Sequence, residues 1–458
     1  MPRLVRDKVF LTVLRMAVPM LAGTFAMNMY NLVDTWFVSR LGTQALAAMS
    51  FTFPVVMLVS FVMRGLGTGA MTVVAHALGR RRHQAAARIT THAIFLASGI
   101  AILLTVAGLL TVEPLFLRLG ASGEVLDLTR RYMTVWYWGL IFRVLNIMLA
   151  DIIIGTGNSK AVSFLMVGGT LLNCVLDPLM IFGGWIFPRM GIQGAALATV
   201  IAESFVMVAA YYLIHKKYHL ISFLTYSRRR MMASWNRILQ IGMPAMISSV
   251  LTPVSAAIVI RIVADFGRSA VAAVGVATRI EMFAFMIPMT VGMSLVPFVA
   301  QNYGAKRFDR IQTVRRGAFI FALAFGFVSA GIFLIVAKPL GRLFSSDPAV
   351  VNVLVRYIYI TCFGYGFLEV HRYATFCMTG IHRPVMAGIL NAIRVLVLML
   401  PMAFWGAKWF GLSGVFWGRL LTDLLAAGIG IIGSGKILKK MILEACPSVA
   451  RLPSNIGV

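Results

Sequence analysis

The 458-residue chain has few charged residues, and among these few are acidic. Asp, Glu, Lys and Arg together make up 12% of the sequence, about half of the share that is usual in soluble domains. Hydrophobic residues make up 60%, so the composition excludes an ordinary soluble globular protein. Because a membrane-crossing helix needs roughly 20 apolar residues, the chain has room for about twelve crossings and for no large extramembrane domain.

The sequence also lacks the motifs of metal sites and of common enzymes. Its four cysteines show no C-x-x-C spacing, so no metal site is predicted. It has no H-E-x-x-H motif, no G-x-S-x-G nucleophile turn and no P-loop lysine motif. We therefore expect neither an enzyme nor a transporter driven by ATP, and we expect no resident cofactor or metal.

Basic residues outnumber acidic ones by 42 to 15, which gives a formal charge of +27. They form short clusters between hydrophobic runs, at 80–82, 216–217, 228–230 and 306–307. Clusters of this kind are typical of loops that face anionic lipid. We therefore expect membrane lipid, and no nucleic acid, as the partner of this charge.

Hydropathy and the charge clusters together predict twelve transmembrane helices. The predicted spans of the first half are 11–37, 45–78, 91–112, 132–156, 161–182 and 194–214. Those of the second half are 238–264, 270–303, 317–337, 356–380, 385–405 and 411–434. The predicted organisation is an N-terminal six-helix lobe at 1–214, a cytoplasmic linker at 215–237, a C-terminal six-helix lobe at 238–435 and a cytoplasmic tail at 436–458.

The loop Lys and Arg residues predict the orientation of the chain. Most of them fall on the side that carries the N-terminus, and loops rich in Lys and Arg lie on the cytoplasmic side of a membrane. We therefore expect both termini in the cytoplasm and a multi-pass protein of the cell inner (plasma) membrane.

The two halves of the sequence are similar to each other at an offset of 225 residues. The offset aligns prolines, glycines and tyrosines of the two halves, among them Pro19 with Pro244, Gly67 with Gly292, Tyr132 with Tyr357 and Gly155 with Gly380. After a small deletion, Gly191 and Gly194 align with Gly411 and Gly414. The predicted fold class is thus an all-α integral membrane protein with 12 transmembrane helices in two homologous six-helix bundles, which are parallel repeats suited to alternating access.

Two carboxylates of the first half have apolar counterparts in the second. Asp34 corresponds to Val259 at this offset. When Pro178 and Pro401 are aligned, Asp177 corresponds to Leu400. A charged carboxylate is costly in a low-dielectric cavity, and a second carboxylate nearby adds to that cost. Such a pair can take and release a proton, and intramembrane ionisable residues are functional-site candidates. We therefore predict that Asp34 and Asp177 form an ion-coupling pair.

Three polar side chains are predicted at a similar depth in neighbouring helices. Asn173 lies one turn before Asp177 on the same helix face, while Thr199 and Tyr137 stand on other spans. All three are predicted hydrogen-bonding partners of the carboxylates. The alternatives are that Asp34 is an interfacial residue exposed to water and that Asp177 belongs to a helix-ending Asp-Pro turn.

Further charged residues lie inside predicted spans of the second half, and Glu281, Glu369 and Arg394 are the secondary candidates. Arg279 precedes Glu281 by two residues, and Arg372 follows Glu369 by three. For this group we favour interior ion pairs that fix helix packing, with substrate binding or proton relay as the alternative.

Over about residues 10–435 the sequence resembles the multidrug and toxic compound extrusion (MATE) transporters. The resemblance rests on D-T-W-F-V-S-R-L-G at 34–42, T-R-I-E at 278–281, Q-N-Y-G at 301–304 and G-A-A-L-A-T at 194–199. It implies a V-shaped pair of six-helix lobes that exports organic, often cationic and lipophilic, compounds in exchange for protons or sodium ions. It also implies small organic substrates, and we expect a monomer.

The resemblance is closer to the DinF-type and archaeal-like branch than to the NorM-type branch. In the former branch the aspartates of helices 1 and 5 and their Asn and Thr neighbours form a cation site, and Asp34, Asn173, Asp177 and Thr199 stand at those positions. The NorM-type branch has an acidic residue where this sequence has Thr252. The resemblance therefore favours proton coupling. A sodium-coupled drug antiporter and a lipid-linked oligosaccharide flippase of the wider superfamily are the alternatives.

Overall fold

The computed structural model describes residues 3–184, 187–222 and 227–445. This part of the chain is almost entirely helical, and its one β-type pairing is an isolated bridge between Gly184 and Phe187. Positions 223–226 of the predicted linker and 446–458 of the predicted tail lie outside the described residues.

In the described part of the first half there are six long helices. They are α1 (Val9–Ser39), α2 (Thr43–Gly79), α3 (His83–Arg118), α4 (Gly123–Gly155), α5 (Ser159–Phe182) and α6 (Ile192–Tyr212). A short turn of helix, Arg3–Arg6, precedes α1, and a π-helical turn, Leu213–Lys217, continues α6.

The described part of the second half contains six further helices. They are α7 (Arg228–Ala264), α8 (Arg268–Ala284 and Met286–Gly304, bent by 54°), α9 (Phe308–Phe344), α10 (Pro348–Gly380), α11 (384–410) and α12 (412–445). The last two belong to one helical run that is interrupted at Gly411, whose φ of 63° and ψ of −150° are not helical.

The twelve predicted membrane spans are matched by these helices. In the described part of the chain, ten helices are each long and apolar enough to cross a membrane, and the bent α8 makes eleven. One of the ten is the 61-residue run Pro384–Glu444, which contains both α11 and α12. Gly406 lies against Gly414, which shows that these two helices fold back on each other around Gly411. The predicted all-α membrane fold is therefore confirmed.

The backbone repeats the symmetry of the sequence. Four pairs of positions with positive φ recur at the repeat offset: Gly42 with Gly267, Arg81 with Lys306, Gly157 with His382, and Gly191 with Gly411. Positive φ is unfavourable for residues that carry a side chain. Its recurrence at Arg81, Lys306 and His382 therefore shows that the two halves share the geometry of their turns.

Contacts divide the described chain into two compact units, residues 1–7 with 11–250 and residues 8–10 with 251–458. The division falls inside α7, whereas the sequence predicts a lobe boundary at 215–237. The first part of α7 packs on α2 and α3 of the first unit. The indole of Trp235 donates to the carbonyl of His92 at 2.8 Å, and Gly65 and Gly69 of α2 let the backbone of α7 approach closely.

Candidate functional site

Helices α1 and α5 of the first unit contact each other at several points. Near their first residues, the hydroxyl of Ser159 donates to the carbonyl of Met16 at 2.8 Å. Near their last residues, the rings of Phe37 and Phe182 are 6.4 Å apart between centroids. The two helices therefore run in the same direction and hold their side chains at matching depths.

Asp34 and Asp177 stand at the same depth on these helices, each five residues before the last residue of its helix. Asp34 is 7% exposed and Asp177 is 0% exposed, and the two carboxyl groups interact electrostatically. Burial excludes a water-exposed Asp34. Because α5 continues through Pro178 to Phe182, Asp177 does not belong to a helix-ending turn.

Asn173 and Thr199 complete a cluster with the two carboxyl groups, in which Asn173 bonds a carboxyl group and Thr199, among the described residues, does not. The side-chain amide of Asn173 donates to Oδ1 of Asp177 at 3.2 Å. The hydroxyl of Thr199 donates to the carbonyl of Ala195 at 3.1 Å and lies 2.9 Å from the hydroxyl of Tyr30. Because the Thr199 proton is already used, Tyr30 is the donor of the second bond, which joins α1 to α6.

Three buried oxygens of the cluster have no donor among the described residues: Oδ1 of Asp34, Oδ2 of Asp177 and Oδ1 of Asn173. Buried polar atoms normally have a hydrogen-bond partner, and an unsatisfied one costs about 1–3 kcal/mol. A proton on a carboxyl group, or a small cation between the oxygens, removes this cost. The cluster is therefore suited to holding a proton or a cation.

An ion pair and a small cavity border the cluster. Arg143 of α4 pairs with Glu203 of α6, and its guanidinium also donates to the hydroxyl of Ser60 of α2 at 3.3 Å. The cavity has a volume of about 130 Å³ and is lined from four helices, by residues that include Tyr30, Asn31, Arg143, Asn146, Asn173, Thr199 and Glu203. Asn173 and Thr199 are thus accessible from this cavity.

Tyr137 does not join the cluster. Its ring packs against Gly108 of α3, and its backbone carbonyl accepts a hydrogen bond from Thr105. Tyr132 interacts electrostatically with Asp34 and Asp177 instead. Five residues turn a helix by about 140°, so the two tyrosines of α4 face different neighbours. The sequence signal for Tyr132 was its match with Tyr357 in the repeat.

The secondary candidates lie in the second unit, and each of them has an ionic partner. Glu281 pairs with Arg419 at 3.0 Å and accepts hydrogen bonds from the hydroxyls of Tyr357 and Tyr365 at 2.9 and 3.0 Å. The ionic partner of Glu281 is therefore Arg419 and not the neighbouring Arg279.

The other two secondary candidates are also in ion pairs. Glu369 pairs with Arg372 at 2.7 Å, and Arg394 pairs with Asp423 at 2.7 Å. Glu281, Glu369 and Asp423 are thus each paired with an arginine of the chain, although Oε2 of Glu369 is buried without a hydrogen-bond partner among the described residues. In the described residues no such pair involves Asp34 or Asp177.

Sequence comparison supports the repeat and the transporter resemblance. The MatE family model matches twice, at residues 19–179 and 244–405. A protein of Shewanella oneidensis named FAD transporter is 34% identical over 412 residues, which cover 90% of this chain and 91% of that protein. The multidrug export protein MepA of Staphylococcus aureus is 25% identical, with 92% of each chain covered.

Comparison with solved structures supports the fold. The Vibrio cholerae MATE transporter VcmN in its bent form matches with a TM-score of 0.90 and 27% sequence identity. The match covers 94% of this chain and 97% of that one. The similarity therefore extends over both halves of the chain.

Proposed function

This chain belongs to the MATE family of efflux transporters, and from that premise we propose that it exports small organic compounds in exchange for protons. Asp34 and Asp177 are the proposed proton-exchanging groups, and Asn173, Thr199 and Tyr132 are their proposed polar neighbours. The proposed location is a cell inner membrane, with both termini in the cytoplasm.

The three unpaired buried oxygens at Asp34, Asp177 and Asn173 carry this proposal. A neutral carboxyl group supplies a hydrogen-bond donor and removes the charge that is costly to bury. A charged carboxylate pair, in contrast, attracts a substrate cation. The two carboxyl groups therefore bind either protons or a substrate cation, but not both at once. Exchange of protons for substrate requires that their binding be mutually exclusive in this way.

Proton exchange at this site drives export only if the protonated protein and the substrate-bound protein favour different conformations of the chain. The parallel six-helix repeats are of the kind that alternate access to a central site. Protons bound from outside then release the substrate, and their loss to the inside restores the state that binds it.

A flavin nucleotide is a second candidate substrate. The Shewanella oneidensis relative named FAD transporter is 34% identical and aligns with 90% of this chain. Both substrate classes belong in the first transport experiment.

That experiment uses proteoliposomes loaded with ethidium or with FAD, under an imposed pH gradient and then under a sodium gradient. We expect transport driven by protons alone, and its loss in Asp34→Asn. Asp127→Asn is the matched control, because Asp127 belongs to the same unit but is partly exposed and paired with Arg130 and Arg131.

Two results of the experiment contradict the proposal. Sodium-driven transport that survives Asp34→Asn places the coupling site in the second unit, near Glu281 or Glu369. No movement of either compound under either gradient, with folded protein, favours the flippase alternative.

A further inference from the structure

A larger cavity lies in the first unit, at the pole of the bundle where α1 begins. Its volume is about 960 Å³. The lining comes from α1, α2, α3 and α5 and from the turns that follow α4 and α6, through Thr12 and Arg15, Leu78, His83, Ser159, Thr156 and Lys217. The apolar part of the lining includes the buried side chains of Leu4, Met16 and Leu220. The cavity is separate from the one that borders Asp34 and Asp177.

The charged lining of this cavity is strongly cationic. Arg15, Arg81, Lys160 and Lys217 line it together with one carboxylate, Asp7, which lies 3.5 Å from Arg15. No ion pair between described residues involves Arg81, Lys160 or Lys217. Three cations at one cavity thus lack a counter-ion from the described part of the chain.

Local backbone geometry shapes this cavity. Gly157 has a φ of 94°, and a Cβ there would lie 2.9 Å from the side chain of Leu4. Glycine therefore lets the N-terminal turn pack on the loop before α5. The first residues of α5 line the cavity, and the N-terminus of a helix attracts anions.

Of the four cations, the second half of the chain repeats only Arg81, which corresponds to Lys306 at the offset of 225. Lys160 corresponds to Val385 at the offset of 225, and Lys217 corresponds to Ile437 at the offset of 220. Gly157 corresponds to His382. The shared fold therefore does not require a glycine and two lysines at these positions, although the general excess of positive charge extends over both halves.

We propose that this cavity binds a phosphate-bearing anion. Arg and Lys form charge-assisted hydrogen bonds with phosphate oxygens, and the volume accommodates a group larger than inorganic phosphate. Two sources share this chemistry: the headgroup of an anionic phospholipid, and a soluble phosphate compound. The apolar part of the lining favours a group that also carries carbon.

The test measures binding to the purified full-length protein in a non-ionic detergent. The probes are dihexanoyl phosphatidylglycerol, dihexanoyl phosphatidylcholine and inorganic phosphate at constant ionic strength, and the readout is the shift in unfolding temperature with probe concentration. We expect saturable stabilisation by phosphatidylglycerol and none by phosphatidylcholine. Equal stabilisation by inorganic phosphate identifies a soluble phosphate compound as the ligand, whereas its absence identifies the lipid headgroup.

Two triple variants distinguish binding in the cavity from a general attraction of the anion to basic residues on the surface. The cavity variant carries Arg81→Gln, Lys160→Gln and Lys217→Gln, and the flanking variant carries Arg80→Gln, Arg82→Gln and Lys216→Gln. All six side chains are exposed, so both variants lose the same charge without disturbing the core.

We expect the apparent dissociation constant to rise on the order of 100-fold in the cavity variant, because each basic residue near an anionic surface contributes about 1 kcal/mol. The flanking variant is expected to bind as the wild type does. Equal losses in the two variants, unchanged binding in the cavity variant, or no saturable binding by the wild type would each overturn the proposal.

Discussion

Among the described residues, Asp34 and Asp177 are buried acids without an ionic partner, and they differ in this from the buried acids of the second unit. Glu281, Glu369 and Asp423 each lie within 3.0 Å of an arginine nitrogen. An acid with its own arginine is already neutralised, whereas Asp34 and Asp177 need a proton or a cation. This contrast between single residues is the basis for placing ion exchange in the first unit.

The same contrast predicts an effect on stability. We expect Asp177→Asn to raise the unfolding temperature at pH 8 and to change it little at pH 5, because the amide cannot acquire the charge that is costly to bury. Thermal unfolding in detergent at the two pH values measures this. In the control Asp127→Asn, where the carboxyl group is partly exposed, we expect no such rise in the unfolding temperature. A destabilised Asp177→Asn at pH 8 would show that the carboxylate is well compensated.

Comparison of the two halves of the sequence identified most of this site, but not all of it. Asp34 and Asp177 were visible because their counterparts, Val259 and Leu400, are apolar. Tyr132 was missed because it is shared with Tyr357, and shared positions were assigned to the common fold. Tyr357 in fact donates to Glu281, so this shared position serves a polar cluster in each half.

At the scale of helices, glycines decide how closely neighbouring elements pack. Gly326 of α9 lies directly against the backbone of Gly366 of α10, whereas a Cβ at Gly331 on the same helix would meet nothing within 4 Å. The α9–α10 contact therefore depends on the first glycine and not on the second.

This difference gives a matched pair of variants. We expect Gly326→Ala to lower the free energy of unfolding by about 1–3 kcal/mol, since the methyl group forces two helix backbones apart. We expect Gly331→Ala to be neutral or to stabilise by up to about 1 kcal/mol, because alanine favours the helix. Denaturant unfolding in mixed micelles compares them. Equal effects of the two substitutions would contradict the close contact between Gly326 and Gly366.

The sequence predicted the number of helices better than their ends. Hydropathy marks only the apolar stretch, so 91–112 was predicted where α3 extends over His83–Arg118. Spans 11 and 12 were predicted separately, and the structure has them as one run turned at Gly411. The bend of α8 near Phe285 comes just before Pro288. Proline has no backbone N–H to bond to the carbonyl of Ala284, four residues earlier, and its ring crowds that carbonyl. A hydropathy pattern does not contain this bend.

At the scale of the whole molecule, the internal repeat was the most reliable inference from sequence. The two segments matched by the family model begin at residues 19 and 244, which reproduces the offset found within the sequence. The close approach of Gly65 and Gly69 of α2 to the first part of α7 joins positions far apart in the chain, and a hydropathy pattern does not contain it.

The distribution of basic residues predicts the orientation of the whole chain. We expect Ser122→Cys, in the loop between α3 and α4, to react with a membrane-impermeant maleimide added to intact cells. Ser227→Cys, before α7, is expected to react only after the membrane is permeabilised. Wild-type protein measures the background from the native cysteines. The reverse pattern of labelling would invert the proposed orientation.

Proton release on substrate binding reports most directly whether Asp34 and Asp177 exchange protons for substrate. The purified protein, in a weakly buffered solution near neutral pH, is mixed with a compound that it transports in proteoliposomes, and the pH change is recorded. We predict proton release from the wild type and from Asp127→Asn, and none from the double variant Asp34→Asn and Asp177→Asn. Substrate binding by the wild type without proton release, or undiminished release by the double variant, would contradict the assignment.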